Sequence, residues 1–323
     1  MPTLQIHDQR VLVDPGETAL DALLRAGVPV AHACRAGACH SCLLRASAGV
    51  LPAAAQVGLK DAQRAQGYFL ACMCRPESDL TLADEDTTTA TELVAVTRLA
   101  PDIVRVQLRP TAPFAYRPGQ FVTLLRDDGL ARSYSLASVP ELGEDLELHV
   151  RVLPRGRMSG WLADAARPGD PLRLRGPSGD CIYMPGDPTR PLALIGTGTG
   201  LAPLHGVVRD ALRRGHTGPV TLIHGAVAPS GLYLQPALAA LARAHPNLRY
   251  VRCALHGEPA PDLEIGPIEA VAARLLPQLR GHTVFLCGDP ERVRVLRKQS
   301  FLRGAKLPDI LGDAFVTAPP PTA

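Results

Sequence analysis

The chain has 323 residues, 46% hydrophobic and 20% charged, a balance too apolar for a disordered protein and a length that suits roughly two or three domains. Formal charge is only +3, and no basic run interleaved with aromatics accompanies it, so composition offers no case for nucleic-acid binding. No apolar stretch reaches about 18 residues, which argues against a membrane span, and the start MPTLQIHDQR has neither the basic nor the apolar region of a secretory signal, so the expected compartment is the reducing cytoplasm.

Residues 1–84 begin with the β-rich runs LQIHD and RVLVD, followed by a helical ETALDALLRAG. Five of the eight cysteines then fall between 34 and 74: Cys34, Cys39, Cys42, Cys72 and Cys74. The first four read C-x4-C-x2-C-x29-C. Three thiolates on one short loop and a fourth from far along the chain can enclose a two-iron cluster, and the plant-type spacing has this form. The filler Arg35-Ala36-Gly37-Ala38 is small enough for backbone N–H groups to reach the sulfurs, and Arg35 is expected to favour added negative charge. Structural zinc prefers two paired knuckles, and the loop has one. A Rieske centre needs two histidines, and His40 has no matching partner. On spacing alone the fourth ligand is open between Cys72 and Cys74.

Residues 85–91 are polar and aperiodic and read as a linker. Residues 1–86 carry 7 basic and 10 acidic groups and the remainder 27 and 21, which fits separately folded units. From 92 to 186 short β-rich runs alternate with Gly and Pro turns, and one helical segment, MSGWLADAAR, intervenes; this suggests a small antiparallel barrel. From 187 to 323 strands alternate with helices, which implies a parallel sheet covered on both faces. The expected class is a multi-domain α+β and α/β protein.

Four motifs carry chemistry. Gly196-Thr197-Gly198-Thr199-Gly200 follows an apolar strand and opens a helix, a turn that lets a pyrophosphate approach backbone N–H groups. It is not the usual G-x-G-x-x-G, and no acid ends the next strand, so a plain strand-to-helix turn stays open. Arg132-Ser133-Tyr134-Ser135 alternates a phosphate-binding cation with a flat ring, although four residues alone also suit an exposed Arg and a packing Tyr. Downstream, Gly156, Met158 and Ser159 open a helix whose N–H groups and hydroxyl suit a second phosphate. Cys287-Gly288-Asp289 ends a sheet strand, where open α/β sheets bind ligands.

Residues 1–83 resemble a plant-type ferredoxin, which implies a β-grasp-like [2Fe–2S] domain. The Leu70-Ala71-Cys72 segment before Pro76 matches that family's fourth-ligand segment, so the resemblance implies Cys72 as ligand and Cys74 as an extra thiol. Residues 92–323 resemble the ferredoxin–NADP⁺ reductase superfamily on Arg132–Ser135, Gly156–Ser159, Gly196–Pro203, Cys287-Gly288 and Pro118-Gly119-Gln120-Phe121. The resemblance implies FAD contacts at the first two motifs and at His149 and Val150, and a nicotinamide dinucleotide at the Gly-rich turn. It implies catalytic roles for Ser135 and Cys287 beside the flavin. The ending Asp313-Ala314-Phe315 is similar to the family's terminal D-A-F, and implies Phe315 as a shield for the flavin ring.

The domain order resembles the reductase component of multicomponent aromatic-ring oxygenases, of the naphthalene dioxygenase reductase type. That implies electron flow from NAD(P)H through FAD and [2Fe–2S] to an oxygenase component or a small ferredoxin. Gly225-Ala226-Val227-Ala228 lacks the Arg that meets a 2′-phosphate in some relatives, which favours NADH. The same chemistry serving a deoxysugar dehydrase or a P450 is an alternative, as is a non-catalytic redox sensor. A monomer suits a shuttle that must expose its cluster edge.

Overall fold

The computed structural model describes residues 1–59, 61–83 and 88–316. The first unit contains β1 (Thr3–Ile6), β2 (Gln9–Leu12), α1 (Ala19–Arg25), β3 (Leu43–Ala48), α2 (Asp61–Ala65), β4 (Tyr68–Leu70) and β5 (Leu80–Leu82). Its sheet runs β2-β1-β5-β3-β4, with β1 and β5 parallel. Thr18 caps α1 by accepting from the Asp21 N–H at 3.2 Å. The helix buries Ala19, Leu20, Ala22 and Leu23 against Phe69, Leu70 and Leu80. This is the β-grasp arrangement expected, and it leaves loop 34–42 between α1 and β3.

The second unit comprises β6 (Thr88–Ala100), β7 (Ile103–Pro110), β8 (Phe121–Leu125), β9 (Ala131–Ser135), β10 (Leu146–Arg151), α3 (Arg157–Asp164) and β11 (Pro171–Ser178). The antiparallel sheet runs β10-β7-β6-β11-β8-β9. A bridge between Leu136 and Leu148 brings the two ends together, closing the expected barrel. The linker reading needs correction. Positions 85–87 lie outside the described residues, but Thr88–Thr91 are already strand, paired with Arg175–Leu172 of β11. Three of those four residues are β-branched Thr, which favours the pleated state over a free link.

The third unit comprises β12 (Leu192–Thr197), α4 (Leu201–Arg213), β13 (Val220–Ala226), α5 (Gln235–Ala244), β14 (Leu248–Ala254), β15 (Leu263–Ile265), α6 (Ile268–Leu275), β16 (Thr283–Gly288), α7 (Pro290–Leu302) and β17 (Ile310–Ala314). The parallel sheet runs β15-β14-β13-β12-β16-β17. Helices α4 and α5 pack on one face through Leu204, Val207, Val208, Ala211 and Leu238, and α6 and α7 on the other through Ile268, Val271, Val293 and Leu296. The barrel joins the first of these cores through Ala100, Ile103, Cys181 and Tyr183. Gly119 makes that junction possible. Its φ is +92°, and a Cβ there would stand 2.1 Å from the Cys181 carbonyl and 2.6 Å from Val207. Among the described residues no helix is long and apolar enough to cross a membrane.

Candidate active site: the thiol loop and the interdomain cleft

Loop 34–42 is curled by left-handed residues at Arg35, Gly37 and His40, with φ of 52°, 74° and 54°. The curl turns N–H groups onto sulfur. Ala36 and Cys39 donate to Cys34 Sγ at 3.4 Å, and Cys34 donates to Cys39 Sγ at 3.4 Å. Cys72 donates to Cys42 Sγ at 3.5 Å. Backbone N–H donors link the sulfurs into two pairs, Cys34 with Cys39 and Cys42 with Cys72. Within each pair the neighbouring sulfur holds one thiol down, Cys34 or Cys72, and pushes the other up, Cys39 or Cys42.

Two thiol pairs that accept backbone N–H donors fit a cluster with two irons. Cys74 is buried in the core of the first unit, and burial alone pushes its thiol up to about 12. Arg35, expected to favour added negative charge, has its guanidinium paired with Asp21 at 2.6 Å.

A cleft of about 1850 Å³ begins at Ala38 and Cys39 of this loop and runs between the barrel and the parallel sheet. Arg132, Ser133, Tyr134 and Ser135 of β9 form one wall, together with Gly156, Met158 and Ser159 at the start of α3. Thr197, Gly198, Thr199, Gly288 and Asp289 form the facing wall, and Phe315 lies at its edge. The Phe315 N–H donates to the Gly288 carbonyl at 2.8 Å, which fixes the ring position relative to the end of β16. Burial pushes the Tyr134 phenol well up, so that ring stays neutral. Gly156 caps α3 with no side-chain hydrogen bond. The Ser159 hydroxyl accepts from the Leu153 N–H at 3.1 Å and so anchors the segment before the helix.

The cleft therefore has a cation, an aromatic face and a helix start on one side and a Gly-rich turn on the other. That donor set fits a flavin dinucleotide beside a nicotinamide dinucleotide. Ser135 sends its hydroxyl to Asp313 at 2.8 Å. Burial raises the Asp313 carboxyl to about 6, against the opposing effect of that bond.

Three family models match in chain order: a 2Fe-2S iron–sulfur cluster binding domain over residues 3–77, an oxidoreductase FAD-binding domain over 90–183 and an oxidoreductase NAD-binding domain over 194–298. The chain is 37% identical over 306 residues to the reductase subunit of an aromatic O-demethylase from Amycolatopsis sp., covering 90% of this chain and 91% of that one. It is 31% identical over 322 residues to the ferredoxin–NAD(P)⁺ reductase component of the naphthalene 1,2-dioxygenase system of Pseudomonas putida, covering 97% of both. This chain belongs to the ferredoxin–NAD(P)⁺ reductase superfamily.

It is an iron–sulfur flavoprotein oxidoreductase of that superfamily, with [2Fe–2S], FAD and NAD(P)H as its cofactors. Among solved structures, an Amycolatopsis cytochrome P450 reductase superposes with a TM-score of 0.71 at 34% identity, covering 98% of this chain and 99% of that one. The ferredoxin reductase of carbazole 1,9a-dioxygenase gives 0.67 at 26% identity, covering 97% and 98%.

Four expected site residues of this reductase do not line the cleft. Val150 is fully buried in the barrel core. Gly196 and Gly200 act by absence: a Cβ on Gly200 would stand 2.2 Å from the Cys287 carbonyl, and one on Gly196 would stand 2.7 Å from Leu204. Cys287 packs its thiol 3.4 Å from that of Cys181, where burial pushes it well up. Only the backbone that follows it, at Gly288, reaches the cleft.

His149 lines the cleft, but both ring nitrogens already have protein partners, Tyr233 at 3.0 Å and Glu147 at 2.7 Å. Burial pushes the Glu147 carboxyl up; the His149 bond and the charges of His149 and His205 more than offset it, down to about 2. Asp313 is the functional candidate that motif reading did not single out. The terminal Asp-Ala-Phe was the available signal. Its register opposite Cys287, on β17 beside β16, is what brings the carboxylate to Ser135.

Proposed function

We propose that this reductase passes electrons from NADH through FAD to a [2Fe–2S] cluster held by Cys34, Cys39, Cys42 and Cys72, and on to the oxygenase component of an aromatic-ring oxygenase system. The observation that carries this reading is a direct contact. Ser133, on the strand that lines the flavin cleft, donates to the carbonyl of Cys39 in the thiol loop at 2.9 Å. The strand that lines the cleft and the loop that would hold the cluster are thus in direct contact.

When bound, FAD supplies the conversion of a two-electron hydride donor into single electrons, and the cluster supplies a one-electron carrier. The protein supplies geometry. Arg132 and the start of α3 would hold phosphate, and Tyr134 and Phe315 would pack against the flavin ring. The Ser135 hydroxyl donates to Asp313 Oδ2, which fixes its orientation at the cleft wall. The stretch Gly225–Ala228, which lines the far end of the cleft, carries no cation for a 2′-phosphate and favours NADH over NADPH. The single chain works as a monomer in the cytoplasm.

A second reading, with a P450 as acceptor, rests on the 34% identity to the Amycolatopsis cytochrome P450 reductase. Steady-state reduction of a one-electron dye by NADH tests the core of the reading. Turnover with NADH well above that with NADPH is expected, and absence of turnover by FAD- and iron-loaded protein would point to a sensor instead. Comparing oxygenase and P450 partners as acceptors separates the two customers.

A further inference from the structure

Arg175, Thr123 and Ser133 lie side by side on β11, β8 and β9, in register across three strands. The rung they form meets the thiol loop. Arg175 Nη1 donates to the Ser41 carbonyl at 2.7 Å, and the Ser133 hydroxyl donates to the Cys39 carbonyl at 2.9 Å. Ser41 is fully buried between Cys39 and Cys42. Its hydroxyl lies 3.3 Å from that of Ser133 and 3.5 Å from that of Thr123, which are 3.1 Å from each other. Hydroxyls in such a seam need partners, and each supplies the others.

The cation is the unexplained part. Arg175 is half-buried, its Nε is buried with no hydrogen-bond partner, and among the described residues no carboxylate pairs with it. Burial, and the like charge of Arg173, push its pKa down. A half-desolvated guanidinium kept without a counter-carboxylate is costly unless another anion offsets it.

We infer that Arg175 is a positioning residue that seats the iron–sulfur loop on the flavin sheet and, through its unbalanced charge, raises the reduction potential of the cluster held there. This rests on the reading that Cys34, Cys39, Cys42 and Cys72 hold that cluster. Reduction there adds one electron, and so one unit of negative charge, with no bond made or broken; the electron comes from the reduced flavin in the adjoining cleft. A fixed cation in a seam that admits little water favours the more negative state. The same charge makes transfer out of the flavin more favourable.

Redox titrations of the holoprotein followed by electron paramagnetic resonance test this, with Arg175→Gln and Arg175→Lys beside the native chain. Arg175→Gln is expected to lower the equilibrium constant for cluster reduction about tenfold, about 59 mV for a one-electron couple. Arg175→Lys, which keeps the charge and loses the fork, is expected to stay within about twofold of native. The flavin potential is expected to be the same in all three. An Arg175→Gln cluster that titrates like native overturns the inference, and so does a Lys variant that falls as far as Gln. If Arg175→Gln takes up no iron, the Lys variant decides alone: near-native supports the charge, and a tenfold fall rejects it. A native protein with no [2Fe–2S] signal would sink the underlying reading rather than the role of Arg175.

Discussion

The Ser135 hydroxyl donates to Oδ2 of Asp313 at 2.8 Å, joining the end of β9 to β17 across 178 residues of chain. It ties the flavin wall of the cleft to the strand that flanks the nucleotide side. Replacing either residue with a side chain that cannot make the bond is expected to slow reduction of FAD by NADH about ten- to a hundredfold. Stopped-flow measurement on Ser135→Ala and Asp313→Asn, at full FAD content, checks this. A native rate in both would remove the pair from the reaction.

The same carboxylate predicts a pH dependence of stability. Burial raises Asp313 to about 6, whereas an unfolded Asp titrates near 3.9. The folded state therefore binds the proton more tightly than the unfolded chain. Its contribution is complete below about pH 4 and is lost as pH rises through 6, by up to about 3 kcal/mol. Thermal unfolding of the holoprotein at pH 5 and pH 7 is expected to show a fall that Asp313→Asn reduces. An equal fall in native and variant would assign the dependence to other groups.

Cys72 and Cys74 are expected to behave differently despite their spacing. Cys72 pairs with Cys42, whereas Cys74 sits in the apolar core. Cys72→Ser should abolish the cluster's visible absorbance and cut bound iron sharply. Cys74→Ser should keep both and lose about 1–3 kcal/mol of stability, because it buries a hydroxyl among apolar neighbours. Iron analysis and thermal melts separate these outcomes, and loss of iron in Cys74→Ser alone would reverse the ligand assignment.

Gly200→Ala tests the Gly-rich turn. The added Cβ would meet the Cys287 carbonyl at 2.2 Å and the Gly288 nitrogen at 2.8 Å, both backbone atoms that cannot swing aside. The strain is expected to cost about 1–3 kcal/mol and to displace the end of β16 from the cleft. KM for NADH should rise severalfold while FAD content stays native. Unchanged melting and KM would mean that the turn tolerates the shift.

Much of this was legible because it is local. The spacing of Cys34, Cys39 and Cys42 writes a tight loop directly into the chain, and the switch from short alternating runs to strand–helix alternation marks the change from barrel to parallel sheet. What escaped reading depends on register between distant segments. Asp313 belongs to a strand that begins at Ile310, after the last helix expected from periodicity, and only its pairing beside Cys287 aims it at the cleft. Arg175, Thr123 and Ser133 have no common motif, because three antiparallel strands align them. Cys181 belongs to no sequence motif, and its thiol meets Cys287 only once the barrel docks on α4. The Arg35–Asp21 pair was hidden for a simpler reason. Asp21 competes for its guanidinium from the first turn of α1, and a carboxylate is a stronger partner than a distant sulfur.

Anaerobic addition of NADH to purified iron- and FAD-loaded protein, followed by visible absorbance and electron paramagnetic resonance, probes the whole electron route at once. Bleaching of the flavin together with the signal of a reduced two-iron centre is expected. Protein that stays colourless, or flavin that bleaches while an intact cluster stays oxidised, would contradict the path from the cleft through β9 to the thiol loop.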